Sequence, residues 1–143
     1  MITIEDALVT LLNSNSALTA VIGTASVYPA PAGQNTPYPF VDYYTQSEFE
    51  VQGLGGSHGM VNARITFKAW SSVSSVTGDQ IADCATVAEL VRLALVGYKG
   101  TVDGIEIDCI FKAGKQDGYD TDAKANWRAI DFEVWHKVPI PTF

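Results

Sequence analysis

The sequence predicts an α+β fold built on a four-stranded, mainly antiparallel sheet. Residues 61–70 alternate apolar and polar side chains, which is the period of a strand with one buried face. Residues 78–96 repeat apolar side chains at three- and four-residue steps, which is the period of an amphipathic helix. Two more alternating segments, 105–112 and 127–138, complete the sheet. A strand followed by a helix and a hairpin predicts a long crossover helix that packs on one face of this sheet.

The composition indicates a single globular domain, residues 1–143, because 47% of the residues are hydrophobic and only 17% are charged. Nine Lys and Arg against sixteen Asp and Glu give a formal net charge of −7. Binding to phosphates relies on Lys and Arg, so DNA binding is not expected as the main task. The apolar runs are much shorter than the roughly twenty residues of a membrane span. The N-terminus lacks the basic region of a secretory signal, so cytosolic synthesis and no membrane association are expected.

The first third of the chain predicts two helices and an extended connector. Thr3 can cap a helix with one apolar stripe, and a second short helix over residues 17–22 is ended by Gly23. Four of the six prolines lie within residues 27–39, which predicts an extended connector with a fixed course. It leads into the first strand, residues 40–45, which we place at an edge of the sheet because proline precedes it.

The segment 46–60 predicts a projecting loop. It contains four glycines, but no Lys-Ser/Thr pair and no helix follow them, so it is not a nucleotide-binding loop. Phe49, Val51 and Leu54 are apolar residues with no obvious core to enter. The segment is therefore either a long hairpin tip or an arm that becomes ordered on a neighbouring molecule. The proline-containing C-terminal tail, residues 138–143, is expected to be extended, either free or on a neighbour.

The alternation in the later strands predicts which side chains face the core and how the strands are ordered. The residues expected to face inward are Val61, Ala63, Ile65, Phe67, Ala69, Ile105, Ile107, Cys109, Phe111, Ile130, Phe132 and Val134. The order 1-2-4-3, with the long helices on the apolar face, is favoured over the mixed order 1-2-3-4. Residues 113–126 are polar and predict a solvated loop, since the aspartates in it lack the glycine and the closing glutamate of a calcium loop.

The polar side chains do not predict catalysis or metal binding. His58 and His136 lack a neighbouring nucleophile in the arrangement that catalysis requires. Asp131 and Glu133 alternate on an outward strand face, which is typical of solvent contacts. Two cysteines without a Cys-x-x-Cys motif or nearby histidines do not form a metal site, and both are expected to be reduced core residues. We therefore expect no catalytic residue, cofactor or metal.

Three tryptophans indicate where a protein partner could bind. Trp70, Trp127 and Trp135 occupy outward positions among charged residues, where a partner explains them better than water does. Burial under the connector or the tail is the alternative. The candidate subunit interface consists of Phe49, Glu50, Val51, Leu54, Trp70, Trp135 and Phe143.

The order of segments over nearly the whole chain resembles the tail completion, or tail terminator, proteins of long-tailed phages and gene transfer particles. The resemblance rests on residues 27–33 (VYPAPAG), 37–43 (PYPFVDY), 64–70 (RITFKAW), 82–95 (ADCATVAELVRLAL), 117–122 (DGYDTD) and 128–135 (RAIDFEVW). Each motif alone is common, so the order and spacing of the set carry the resemblance.

The resemblance implies a structural virion protein that is not an enzyme and needs no cofactor. Proteins of this kind have an α+β fold and form a hexameric ring on the head-proximal end of the tail tube, which ends tube polymerisation and joins tail to head. The implied partners are other copies of the chain, the tail tube protein and the head-tail connector or neck protein, in a virion assembled in the host cytoplasm. The net charge of −7 suits a ring through which DNA passes without specific binding.

Two alternatives remain open from the sequence. One is a small non-catalytic ligand-binding α+β domain, which would need a polar-lined cavity under the long helix. The other is a head-side neck or head-completion protein, which differs from a tail terminator in its place on the particle.

Overall fold

The computed structural model describes residues 2–23, 26–33, 36–72, 80–140 and 142. Within these residues the chain forms three helices and six strands. In chain order they are α1 (Ile4–Asn13), α2 (Ser16–Ile22), β1 (Val27–Pro29), β2 (Phe40–Gly53), β3 (Gly56–Ser71), α3 (Gln80–Leu95), β4 (Gly100–Val102), β5 (Ile105–Asp120) and β6 (Ala125–Lys137).

The strands form one curled, mixed sheet in the order β1-β2-β3-β6-β5-β4. Strand β1 runs parallel to β2, and every other neighbouring pair is antiparallel. The prediction of a four-stranded sheet with a long crossover helix is therefore wrong. The four long strands do lie in the order β2-β3-β6-β5, but α3 leads into the short strand β4 and not directly into β5. Strands of three residues, such as β1 and β4, are too short to show an alternating pattern in the sequence.

The helices cover one face of the sheet, which we call the helix-covered face; the opposite side is the open face. Helix α3 packs against β3 and β6, and α1 and α2 pack against α3. The predicted alternation of β3 is confirmed, since Val61, Ala63, Ile65, Phe67 and Ala69 are all buried in the core. The apolar stripe of α1 is buried as well, and Thr3 and Asp6 form a capping box at its start.

Two long hairpins extend the sheet. Strands β2 and β3 continue to Gly53 and Gly56, so most of the segment 46–60 is paired strand and only residues 54 and 55 form the turn. Strands β5 and β6 likewise continue to Asp120 and Ala125. The prediction of a polar loop over residues 113–126 is therefore wrong. Its side chains lack apolar alternation because most of them are exposed, so the sequence gives no strand signal there.

A β-bulge at residue 108 changes the inward-facing set of β5. The pairing partner of β5 moves from His136 at Ile107 to Trp135 at Cys109, which leaves one extra residue in β5. Ile110 is therefore buried, whereas Phe111 is 53% exposed and Cys109 lies partly exposed. The predictions that Cys109 and Phe111 face the core are wrong, because strict alternation does not survive an inserted residue.

Candidate interaction surface

The open face of the four long strands is organised in cross-strand rows. From one end of the strands to the other, the rows are Phe40-Trp70-Trp127-Gly118, Asp42-Lys68-Ala129-Gln116, Tyr44-Thr66-Asp131-Gly114, Ser47-Arg64-Glu133-Phe111 and Phe49-Asn62-Trp135-Cys109. The two ends of this surface are aromatic and its centre is polar. The chemistry of the open face therefore changes along the strands.

The first aromatic end is held by contacts within the chain. Trp70 stacks on Phe40 with ring centroids 6.1 Å apart, and its indole Nε1 donates a 3.1 Å hydrogen bond to Oδ1 of Asp42. The ammonium of Lys68 lies 4.4 Å from the ring centroid of Trp127. Burial raises the pKa of the Asp42 carboxyl, and the Trp70 hydrogen bond and the nearby Lys68 charge oppose that rise. Trp70 is thus partly buried among residues of its own chain.

The centre of the open face is a polar network that joins three strands. The Thr66 hydroxyl donates a 2.6 Å hydrogen bond to Oδ1 of Asp131, and Nε2 of Gln46 lies 2.7 Å from the Thr66 hydroxyl and 3.1 Å from the same carboxylate oxygen. Arg64 adds an ion pair to the other oxygen of Asp131, at 3.5 Å. Both carboxylate oxygens of Asp131 therefore interact with side chains of the neighbouring strands β2 and β3. This arrangement links the strands to one another.

The second aromatic end is exposed. Phe49 and Trp135 meet edge to face, with ring centroids 6.0 Å apart and an interplanar angle of 89°. Phe49 is 57% exposed, and Phe111 lies one row away with a similar exposure. Leu54, at the turn of the β2-β3 hairpin, is fully exposed. We call these four residues the apolar end.

The structure brings together only part of the predicted interface. Phe49 and Trp135 are in contact, and Leu54 lies at the tip of the β2-β3 hairpin, which also contains Phe49. Glu50 pairs with buried Val61 and so lies on the helix-covered face, while Val51 falls at an irregularity in the pairing of β2 with β3.

Two further members of the predicted interface lie apart from the apolar end. Trp70 is at the opposite end of the open face, in the first of the five rows. Phe143 lies outside the described residues. Phe111 was not predicted, because only the bulge in β5 brings it to the open face.

Two depressions are relevant to the ligand-binding alternative. The larger has a volume of about 600 Å³ and lies on the open face between the connector and residues 120–123. The smaller has a volume of about 320 Å³ and is lined by Cys84 of α3 together with residues 117–119 and 126–128 of β5 and β6. Asp42, Tyr38 and Trp70 are among the residues that line the larger one. The space beneath α3 is instead occupied by buried apolar side chains of the helix and the sheet. Beneath α3 from Val87 to Leu95, the described residues thus form apolar packing and not the polar cavity that this alternative requires.

Within the described ranges, His, Cys, Asp and Glu side chains form no group of three or more that could hold a metal ion. None of the helices in the described part of the chain has the length and apolar character needed to cross a membrane.

A six-stranded curled sheet with a long hairpin and an exposed apolar end is typical of proteins that act by packing against other proteins. Comparison with known proteins gives the family. A family model described as tail completion protein gp17 matches residues 6–137, and the chain belongs to this family. It is therefore a structural protein of the virion tail that associates with other virion proteins.

A solved structure supports the fold. The chain is similar to a chain in the structure described as the virion of a native gene transfer agent particle, with a TM-score of 0.74 and 16% sequence identity. The similarity covers 94% of this chain and 95% of that chain. At this identity the match shows a shared fold. No curated protein sequence matches the chain.

Proposed function

We propose that this protein forms a ring of six copies on the head-proximal end of the tail tube, where it ends tube polymerisation and joins the tail to the head. Its partners in this role are further copies of itself, the tail tube protein and the connector or neck protein of the head. The role requires no catalytic residue or cofactor. DNA passes through the ring without specific binding, and a net charge of −7 favours such passage because it does not attract phosphates.

The observation that carries this proposal is the match of the tail completion family over residues 6–137. The exposed apolar end supports it independently. Phe49 and Leu54 present apolar area to solvent, and such area is normally buried when a partner binds. The hairpin that bears them extends beyond the residues that β1 covers, so a neighbour can reach it.

The test combines localisation with hairpin variants. Electron microscopy of particles labelled on this chain should place it in a ring between tail and head, and mass measurement of that ring should give six copies. Phe49→Ser combined with Leu54→Ser should yield overlong tubes or tails without heads, because the apolar contacts are lost. Leu93→Ser is the matched control, since Leu93 is 63% exposed on α3 and is not part of the hairpin.

Two results would count against the proposal. Label at the head-side end of the neck, away from the tail tube, would favour a neck or head-completion protein. Tails of normal length joined to heads in the Phe49 and Leu54 variant would remove the hairpin from the interface.

A further inference from the structure

The sheet has a long free edge along β2. Strand β1 pairs with β2 only from Val41 to Tyr43. In the described part of the chain no strand lies beside residues 44–53, which make up the rest of β2. Ten residues of extended strand measure roughly 34 Å. Unpaired backbone groups along such an edge are a template for pairing with another chain.

A second free edge of the same length runs along β5. Strand β4 pairs with β5 only from Ile105 to Ile107, and the amide of Gly97 donates to the Ile110 carbonyl at 2.9 Å. Beyond that contact, residues 111–120 have no strand on their outer side among the described residues. Each of the two edges thus has ten residues whose outer side is not paired with another strand.

On the helix-covered face the free edge of β2 carries two carboxylates, whereas the free edge of β5 carries two lysines, followed by Asp117, which is already paired with Arg128. Glu48 pairs with Ala63 and Glu50 with Val61, so these two carboxylates occupy successive positions on that face of β2. Lys112 pairs with Phe132 and Lys115 with Ile130, whose side chains are buried in the core.

A bulge explains how both lysines reach the same face of β5. The register of β5 shifts between Lys112 and Gly114, which leaves Ala113 as the extra residue. Lys112 and Lys115 are therefore successive on the helix-covered face despite a spacing of three. Within the described residues, Glu48, Lys112 and Lys115 take part in no salt bridge.

We propose that the free edge of β2 in one copy pairs with the free edge of β5 in the next copy, with Glu48 facing Lys115 and Glu50 facing Lys112. This proposal rests on the proposed ring. It joins the subunits into one continuous sheet and gives the ring interface a specific register. Opposite charges across neighbouring strands stabilise that register, and like charges destabilise it.

The strand directions fit this pairing. Three successive antiparallel pairs separate β2 from β5, so these two strands run in opposite directions in one chain. Continuation of the sheet into the next copy therefore forms another antiparallel pair. Within one chain Lys112 lies in the row of Thr45, so the charge pairing shifts the next copy along the strands. A closed sheet requires such a stagger.

Cysteine cross-linking tests the contact directly. A chain carrying Glu48→Cys and Lys115→Cys, with Cys109→Ser to remove the native thiol on β5, is oxidised alone and with isolated tail tubes. Within a chain the two positions lie three strand spacings apart and in different rows, so at least about 14 Å separates them, which exceeds the roughly 7 Å limit for a disulfide. We expect a ladder of disulfide-linked multimers up to six copies, with the two positions joined in the linked peptides. Each single-cysteine variant should stop at a dimer.

Charge reversal tests the register. Glu48→Lys with Glu50→Lys, or Lys112→Glu with Lys115→Glu, should each lower ring formation on tubes at least about tenfold, because four charges then repel across the interface. The variant with all four changes should recover ring formation. Lys99→Glu with Lys124→Glu is the matched control, since both lysines are exposed and lie outside the two free edges.

The outcomes separate this inference from the proposed function. Rings at tube ends without ladders, or rings that tolerate either charge reversal, would overturn the edge pairing and leave the terminator role intact. Ladders that form in solution from a chain that never locates to tube ends would support the edge pairing and count against the terminator role. Neither ladders nor rings under any condition would overturn both.

Discussion

His136 should make the stability of this protein depend on pH. The side chain is only 5% exposed, on the helix-covered face between Val61 and Ile107. Both of its ring nitrogens are buried without a hydrogen-bond partner in the described part of the chain. Burial lowers the pKa of His136 from its ordinary value, and the backbone of Lys137 and the carboxylates of Glu48 and Glu5 oppose that shift only in part.

The magnitude follows from two effects of burial. A buried polar atom without a partner costs about 1–3 kcal/mol, so His136→Leu should raise the free energy of unfolding by about that amount at pH 7.5. The second effect is linkage. The folded state holds His136 neutral, so the unfolded chain binds more protons once the pH falls below 6.5, the ordinary value. Wild-type stability should then fall by up to about 1.4 kcal/mol per pH unit until the lowered pKa of the folded state is reached.

Urea unfolding followed by tryptophan fluorescence at pH 7.5, 6.5 and 5.5 measures both effects. The difference between wild type and His136→Leu should be smallest at pH 7.5 and should grow as the pH falls, because other groups that titrate are common to both proteins. His136→Asn keeps a polar side chain that does not titrate, so it should lose the pH dependence without the gain at pH 7.5. A difference between wild type and His136→Leu that stays constant from pH 7.5 to 5.5 would refute the reasoning.

Three further substitutions test the packing by urea or thermal unfolding. Leu12→Ala removes a fully buried side chain of α1 and should cost about 2–5 kcal/mol; a loss below 1 kcal/mol would mean that the helix does not pack as described. Trp70→Phe keeps the ring stack but removes the indole donor to the buried carboxylate of Asp42, which should cost about 1–3 kcal/mol, and unchanged stability would show that the hydrogen bond contributes nothing net. Gly118→Ala places a methyl group where the Trp127 ring lies, so the melting temperature should fall by several degrees; an increase would place the ring elsewhere.

The regular parts of the fold could be predicted from the sequence because each element has one buried face. Strand β3 is central and packs under α3, so its alternation is nearly complete from Val61 to Ala69. The apolar stripe of α1 could be predicted because it is buried, and Thr3 could be predicted as its cap because Thr is a favoured N-cap residue. These patterns come from burial, and they identify elements that contribute to the core.

The ends of the hairpins could not be predicted in this way because neither of their faces is buried by the chain itself. Residues 113–120 of β5 are mostly exposed, so their side chains carry no period of two. Bulges add a second difficulty, since one inserted residue at position 108 exchanges the roles of Ile110 and Phe111. The apolar end of the open face was therefore found only in part, with Phe49, Leu54 and Trp135 predicted and Phe111 missed.

The exposed ends of the two hairpins connect the fold to assembly. A segment that is extended, charged and paired on only one side has a backbone that stays unsatisfied by protein until a second chain arrives. Residues 44–53 and 111–120 meet this description at opposite edges of one sheet, and on the helix-covered face Glu48 of the first segment is opposite in charge to Lys112 and Lys115 of the second. Two complementary edges on one molecule define a head-to-tail contact, which generates a ring when the rotation between copies closes. The strands that the sequence pattern describes least well are therefore the ones that a subunit of such a ring would use.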